Sequence, residues 1–280
     1  MRFALSLPNF GDLQDPRLVA DIARDAEDAG WHGVFVWDHL YAWPGNEVGD
    51  PWTIMAAVAL ATERVRVGPM VTPLPRRRPW QVVRQIVTLD RLSRGRAVLG
   101  VALGYPPHEE FGVFGEPEDA RTRAAILDEG LDIVAGLQTG EPFAFRGEHF
   151  RLEEVVFAPR PVQRPRVPIW VGGSWPNRAP FRRAARWDGV IPIMARDEEG
   201  NEPLPSVDDM RAALAYTREH RTDDAPFDAV FTGHLPLDRT EGRAVAEELG
   251  SFGVTWWQIS PGFGEPLEAF RELVRSGPPA

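Results

Sequence analysis

The segment FVWDHLYAW, Phe35–Trp43, ends a run of apolar residues with Asp38 and His39 and adds Trp43 four residues after the histidine. An imidazole can take or give a proton near neutral pH, or hold a ligand by a hydrogen bond. His39 is therefore either an acid/base group or a structural histidine capped by backbone. Asp38 can orient it only across a strand end, where adjacent side chains point apart. A second segment, VGGSWPNRA, sets Gly172, Gly173, Ser174 and Trp175 at the end of another apolar run. Backbone N–H groups there can converge on a phosphate, since glycine permits close approach; a plain tight turn is the other reading. A third, PRRRP at Pro75–Pro79, is a local basic spot. It reads as a clamp for an anionic tail or as a solvated loop feeding a helix.

Absences narrow the chemistry. The chain has no cysteine, which removes thiol nucleophiles, thiolate zinc sites, Fe–S clusters and disulfides. All 31 basic residues are arginine, so Schiff-base chemistry and a P-loop lysine are excluded too. The six histidines are scattered, with none at a ligand spacing, and no metal site is expected. A net charge of −10 lacks the basic face of a nucleic-acid binder. No apolar run is long enough to span a membrane, and no export signal opens the chain, so a cytoplasmic protein acting on a small molecule is expected.

These groups must be held by a frame, and the 280 residues, 43% of them apolar, suffice for one large core. Strand-like runs are read at Arg2–Pro8, Gly33–Trp37, Arg64–Thr72, Ala97–Gly104, Val167–Gly173, Asp188–Ile193, Asp228–Leu235 and Val254–Ser260. Helical patterns lie between them; Asp15, Pro16 and Gly30 mark the cap, first turn and stop of the first. Eight such units predict a (β/α)8 TIM barrel of a single domain over residues 1–280. The period-two stretch Pro142–Phe157 predicts a β-hairpin inserted between the fourth and fifth strands. Ala195–Ser206 reads as a surface loop or a lid. Barrel chemistry sits at the C-terminal ends of the strands. That mouth would gather Asn9 and Phe10, Asp38, His39 and Trp43, Val71, Thr72 and Pro73, Leu103, Gly104 and Tyr105, and the Gly172–Trp175 stretch, with Met194, Ala195, His234, Pro261, Gly262 and Phe263 after the later strands. It is poor in carboxylates and rich in aromatic and glycine residues, which suits a flat ring system better than glycoside hydrolysis.

Taken together, WDHL, VGPMVTPLPRRRPWQVVRQIVTLDRLSRGRAVLGVALG, GEHFRLEEVVFAPRPVQRPRVPIWVGGS and AARWDGVIP resemble the luciferase-like monooxygenase superfamily of flavin and deazaflavin oxidoreductases, in order from Phe3 to Ile193. The resemblance implies a barrel whose flavin ring lies at the C-terminal mouth, against a bulge made by a non-prolyl cis peptide. By position that bond falls at Pro69–Met70 or beside it, placing Pro69, Met70 and Val71 against the ring. In the branch that uses the deazaflavin coenzyme F-420, an Asp-His pair and a Trp four residues on line the reacting face. Asp38, His39 and Trp43 match them. The sugar-phosphate dehydrogenases of that branch carry a glutamate soon after strand four. Tyr105 stands there here, followed by Glu109 and Glu110, so sugar-phosphate oxidation is not implied. The resemblance thus implies F-420-dependent hydride transfer, with His39, Trp43 and Tyr105 at the reacting centre. The charged tail of the cofactor would suit Arg76–Arg78 or Arg178. FMN-dependent monooxygenation is the alternative, and a flavin-binding protein without turnover a second. Relatives that are dimers suggest a homodimer.

Overall fold

The computed structural model describes residues 1–196, 203–235, 238–262 and 264–279. The strands, in chain order, are β1 (Arg2–Leu7), β2 (Gly33–Val36), β3 (Arg66–Pro69), β4 (Thr72–Pro73), β5 (Leu99–Ala102), β6 (Pro142–Arg146), β7 (Arg151–Val156), β8 (Ile169–Trp175), β9 (Gly189–Met194), β10 (Asp228–Thr232) and β11 (Trp256–Ile259). Nine of them form one parallel sheet in the order β3-β2-β1-β11-β10-β9-β8-β5-β4. A parallel bridge between Val67 and Ala97 brings β3 back to the start of β5 and closes the ring. β3 and β4 are two halves of one stave, so the sheet is an eight-stave barrel. β6 and β7 pair antiparallel as a separate sheet.

The helices α1 (Pro16–Asp28), α2 (Pro51–Ala61), α3 (Pro79–Leu92), α5 (Ala120–Gln138), α6 (Arg178–Ala184), α7 (Val207–Glu219), α8 (Arg239–Ser251) and α9 (Leu267–Ser276) alternate with the staves. One short helix, α4 (Pro107–Glu110), follows β5 and has no signal in the periodicity. Aspartate caps start several helices: Asp15 accepts from Arg17 N at 2.8 Å and Asp50 from Thr53 N at 2.7 Å. Each such cap contributes about 1 kcal/mol. Val19, Ile22, Ala23 and Ala26 of α1 recur at helical spacing and are all buried against the outer face of the barrel.

The barrel has two apolar layers. Leu5, Leu7, Val34 and Val36 point outward to the helices, while Ala4, Phe35, Trp170, Ile191, Val230 and Trp256 fill the interior. Trp170 and Trp256 lie 5.5 Å apart between ring centroids, and Phe35 lies 5.7 and 5.9 Å from the two. Aromatic pairs at such spacing add roughly 0.5–1.5 kcal/mol each beyond their burial. This plug makes the barrel a packed core and confines any ligand to its ends.

The third stave departs from its expected continuous run. Its peptide Met70–Val71 is cis and non-prolyl, within the expected stretch and one bond beyond Pro69–Met70. The neighbouring stave meets this break closely: a Cβ on Gly100 would lie 2.4 Å from Pro69 O, and one on Gly68 1.8 Å from Val98 O. The fifth stave runs longer than expected, so Gly172–Trp175 is strand and not turn. Its extension pairs with β9, Trp175 opposite Met194. Half of the loop Ala195–Ser206, residues 197–202, lies outside the described residues, as does Phe263.

Candidate active site

At the C-terminal end of β2 the chain turns through Asp38, His39, Leu40, Tyr41 and Ala42. Ala42 adopts a left-handed φ of 58°. That turn aims three successive backbone N–H groups inward, a concavity that binds anions. Glu110, the last residue of α4, fills it. Its carboxylate accepts from Leu40 N at 3.0 Å, Tyr41 N at 3.3 Å and Ala42 N at 2.8 Å. The same carboxylate accepts from the Arg76 guanidinium and lies 3.1 Å from His39 Nδ1. The Glu110 side chain is only 1% exposed.

Asp38 faces the other way, as alternation on a strand requires. Its carboxylate accepts from Thr72 Oγ1, from Arg76 Nη2 at 2.8 Å, and from Arg77 Nε and Nη2 at 2.9 and 2.6 Å. A carboxylate has about four acceptor positions, so these donors saturate it. Asp38 therefore ties the end of β2 to the loop after β4, and the group that orients His39 is Glu110. Arg76 and Arg77 turn inward because two buried carboxylates require cations beside them. That placement answers the basic spot in the sequence: two of its three arginines brace the turn.

The His39 backbone is fixed by Asn9, whose Oδ1 accepts from His39 N at 3.1 Å and whose Nδ2 donates to His39 O at 2.8 Å. The His39 ring packs beside Phe10, Trp37 and Trp43, with centroids 5.8, 6.0 and 5.8 Å away. Burial, and then the positive Arg76, push the imidazole down from 6.5 to about 4, against an opposing pull from Asp38. Glu110 also favours the charged form, but Arg76 shares its carboxylate and offsets it. His39 is thus neutral at pH 7. Glu110 already accepts from three amides and a guanidinium and can only accept, so Nδ1 carries the proton. Nε2 is then the lone-pair nitrogen.

Next to this turn the break in the third stave makes a wall. Met70 points into the barrel plug, 6% exposed, while Val71 lies at its margin, half-buried. A Cβ on Gly172 would sit 3.4 Å from both Val71 Cγ1 and Ala102 Cβ. Gly100, Ala102 and Gly172 thus leave low, apolar ground around Val71. A flat ring system fits such ground, and side chains larger than alanine at these positions would fill it. Pro69 ends β3 opposite Val36. Leu103 and Gly104 follow β5; their carbonyls accept from Arg123 Nη1 at 3.1 and 2.8 Å. Gly104 has a φ of +88°, and a Cβ there would meet Pro73 at 2.6 Å, so this turn needs glycine.

The remaining expected residues divide. Ser174 is half-buried and Trp175 buried, its ring 5.1 Å from Phe181 on the outer side of β8. A Cβ on Gly173 would lie 2.1 Å from Pro180 Cβ, so this glycine answers to helix packing. Tyr105 stands at the rim, 47% exposed, with the Arg196 guanidinium 4.1 Å from its ring. Asn9 and Thr72 lie at the mouth where their strand ends place them, and Arg76 and Glu110 come from the basic spot and the stretch after the fourth stave; what the chain did not show is that these four close one network around His39. The one available signal was a glutamate pair following the fourth stave. No group of residues among those described could hold a metal ion, and no described helix is long and apolar enough to cross a membrane.

Comparison with known proteins gives the family and the fold. The family model for luciferase-like monooxygenases matches residues 1–276. A protein of Nakamurella multipartita named F-420-dependent glucose-6-phosphate dehydrogenase is 36% identical over 182 residues, 63% of this chain and 52% of that one. The match thus spans about half the length of that relative. A protein of the same name from Amycolatopsis mediterranei is 30% identical over 256 residues, 84% of this chain and 75% of the relative. The solved structure of coenzyme F-420-dependent tetrahydromethanopterin reductase from Methanopyrus kandleri superposes with a TM-score of 0.76, covering 98% of this chain and 96% of that one. Its sequence is 17% identical, so the shared feature is the fold.

Proposed function

Because this chain belongs to the luciferase-like monooxygenase family, we propose that it is an oxidoreductase moving a hydride between the deazaflavin coenzyme F-420 and a small hydroxyl or carbonyl compound. The observation that carries the reading is the neutral His39, oriented by Glu110 with Nε2 left as proton acceptor, beside the low apolar ground around Val71. The names of the relatives support the choice of cofactor.

When bound, the deazaflavin supplies a ring carbon that accepts or gives a hydride and avoids oxygen chemistry. The chain supplies the rest. Val71, Gly100, Ala102 and Gly172 form the surface that receives the ring. As an alcohol loses its hydride, its hydroxyl proton must leave, and His39 Nε2 takes it; the reverse delivers a proton to a carbonyl oxygen. Burial and Arg76 disfavour the cation that a proton on Nε2 gives, so His39 passes the proton on rather than holding it, while Glu110 on Nδ1 keeps the ring oriented. Phe10, Trp37 and Trp43 pack around the imidazole and keep water from it. Tyr105, exposed at the rim, is a second group within reach of an incoming substrate.

The test is a fluorescence titration of purified protein with F-420 and, separately, with FMN. F-420 is expected to bind and FMN to bind at least tenfold more weakly. Tight FMN binding without F-420 binding would overturn the reading. A panel of alcohols with oxidised F-420, followed by loss of the deazaflavin absorbance, then identifies the substrate class.

A further inference from the structure

Arginines around the mouth differ in what holds them. Arg76 and Arg77 are committed to Asp38 and Glu110. Arg178, three residues past the end of β8, has no carboxylate partner among the described residues. It is nonetheless held: its guanidinium carbon lies 4.3 Å from the Trp175 ring centroid and 4.5 Å from that of Tyr216. Arg182, one turn further along α6, donates to Tyr216 Oη at 2.8 Å and also has no acidic partner among the described residues. Trp175 is itself buried and braced edge-on by Phe181, so the platform under Arg178 is rigid.

A guanidinium lying against two rings keeps its in-plane N–H edge for other partners. That edge is the fork that matches a carboxylate or a phosphate. The rings hold the side chain before any ligand arrives, so less freedom is lost on binding. We propose that Arg178, backed by Arg182, docks the anionic tail of the cofactor, its phosphodiester and carboxylates. The inference rests on the proposed function and adds a residue to it. β8 supplies the path: Gly172 faces the ring ground, and the strand continues past its last pairing with β5, at Val171, to Trp175 and then Arg178. In a chain of net charge −10, a multiply anionic cofactor needs such a local cation.

The probes are F-420 itself and its riboside chromophore, which has the same ring but neither phosphate nor glutamates. Each is titrated by fluorescence into the wild type, Arg178→Gln, Arg178→Lys and Arg182→Gln. F-420 is expected to bind Arg178→Gln about tenfold more weakly than wild type, as for one lost charged hydrogen bond. The riboside should bind both alike. Arg178→Lys should recover part of the loss, since it keeps the charge but not the fork, and Arg182→Gln should lose less. Melting of the chromophore-free variants reports whether the Trp175 platform is intact. Unchanged F-420 affinity in Arg178→Gln overturns the assignment and leaves this arginine to an anionic substrate. Equal weakening of both chromophores overturns it as well, by tracing the effect to the ring ground. A wild type that binds the riboside as tightly as F-420 sinks this inference alone. A wild type that binds neither sinks the proposed function.

Discussion

The two ends of the barrel carry nearly the same set of groups and do opposite things with them. At the bottom, a recess of about 360 Å³ is lined by Arg2, Glu27, His32, Arg64, Arg66 and Trp256. There Glu27 collects the backbone N–H groups of Glu63, Arg64 and Val65, as Glu110 collects those of Leu40, Tyr41 and Ala42 at the top. Each end also has a histidine whose pKa burial lowers. The difference is one contact. His39 Nδ1 meets a carboxylate and so keeps its proton, leaving Nε2 as a base. His32 Nδ1 accepts from Phe3 N at 3.2 Å, so its proton sits on Nε2 and it offers no base. Residue inventory is thus a poor guide to chemistry; the partner of one ring nitrogen decides the role.

The largest test of that contrast concerns the two glutamates. Burial raises the Glu27 carboxyl, but its three backbone donors and Arg64 outweigh this and hold it below the usual range. Its side chain is also sheltered, 9% exposed, but its cation Arg64 stands 3.9 Å away and is itself two-thirds exposed, so no buried charge depends on the pair. Glu110 is enclosed with Arg76. Glu110→Gln should cost about 3 kcal/mol in urea unfolding, as for breaking a buried ion pair. Glu27→Gln should cost about 1 kcal/mol. Equal losses would mean that the upper network is no more than another brace.

Turnover separates the histidines next. His39→Ala should lower kcat by about 10²-fold, roughly 2.7 kcal/mol, with the fold retained in circular dichroism. His32→Ala should leave kcat unchanged. A fully active His39→Ala protein would make the upper histidine as structural as the lower.

Stability against pH gives a comparable effect with a definite sign. An unfolded His39 takes up a proton as pH falls through 6.5, whereas the folded one does so only near 4. Between these values the unfolded state binds more protons, so stability is full above 6.5 and falls as pH drops through the window. The loss attributable to His39 is at most roughly 3 kcal/mol. Unfolding at pH 7 and pH 4.5 should therefore show wild type losing about 2 kcal/mol more than His39→Gln. Parallel pH profiles would place the low pKa elsewhere.

The smallest effect distinguishes the paired glycines within the upper end. Gly172→Ala fits without a clash and encroaches on the ring ground, so it should weaken F-420 binding a few-fold, about 1 kcal/mol, with little change in Tm. Gly173→Ala meets Pro180 and should lower Tm while leaving affinity alone. The reverse pattern would restore Gly173 as the cofactor contact.

Much of this was legible in the chain because parallel staves buried on both faces leave strong apolar runs, and Asp15, Pro16 and Gly30 punctuate a helix plainly. All eight staves lie where the runs predicted them. What periodicity could not show is closure in space. Glu110 is 71 residues from His39 and nothing in its neighbourhood marks it as the partner of a histidine. Asp38, next in sequence to His39, was the natural candidate, yet the strand turns it towards Arg76 and Arg77. Gly172 and Gly173 looked equivalent, and only the alternation of β8 sends one to the mouth and the other to a helix. The extension of β8 to Trp175 was hidden because Gly-Gly-Ser is turn chemistry by composition.

The quartet of Asp38, Glu110, Arg76 and Arg77 balances two negative charges with two positive ones, all sheltered from solvent. Opposed charges so close project little field beyond their own neighbourhood, and the ionic atmosphere barely reaches them. Arg178 lies in the open at the rim, where a Debye length of about 8 Å at physiological ionic strength dulls its attraction. Potassium chloride should then act as a dial on occupancy alone. As it is raised, the apparent KM for the cofactor climbs, while the rate at saturation stays level. If Arg178 docks the cofactor tail, salt then sets how much of the protein is loaded and hardly at all how fast each loaded copy works.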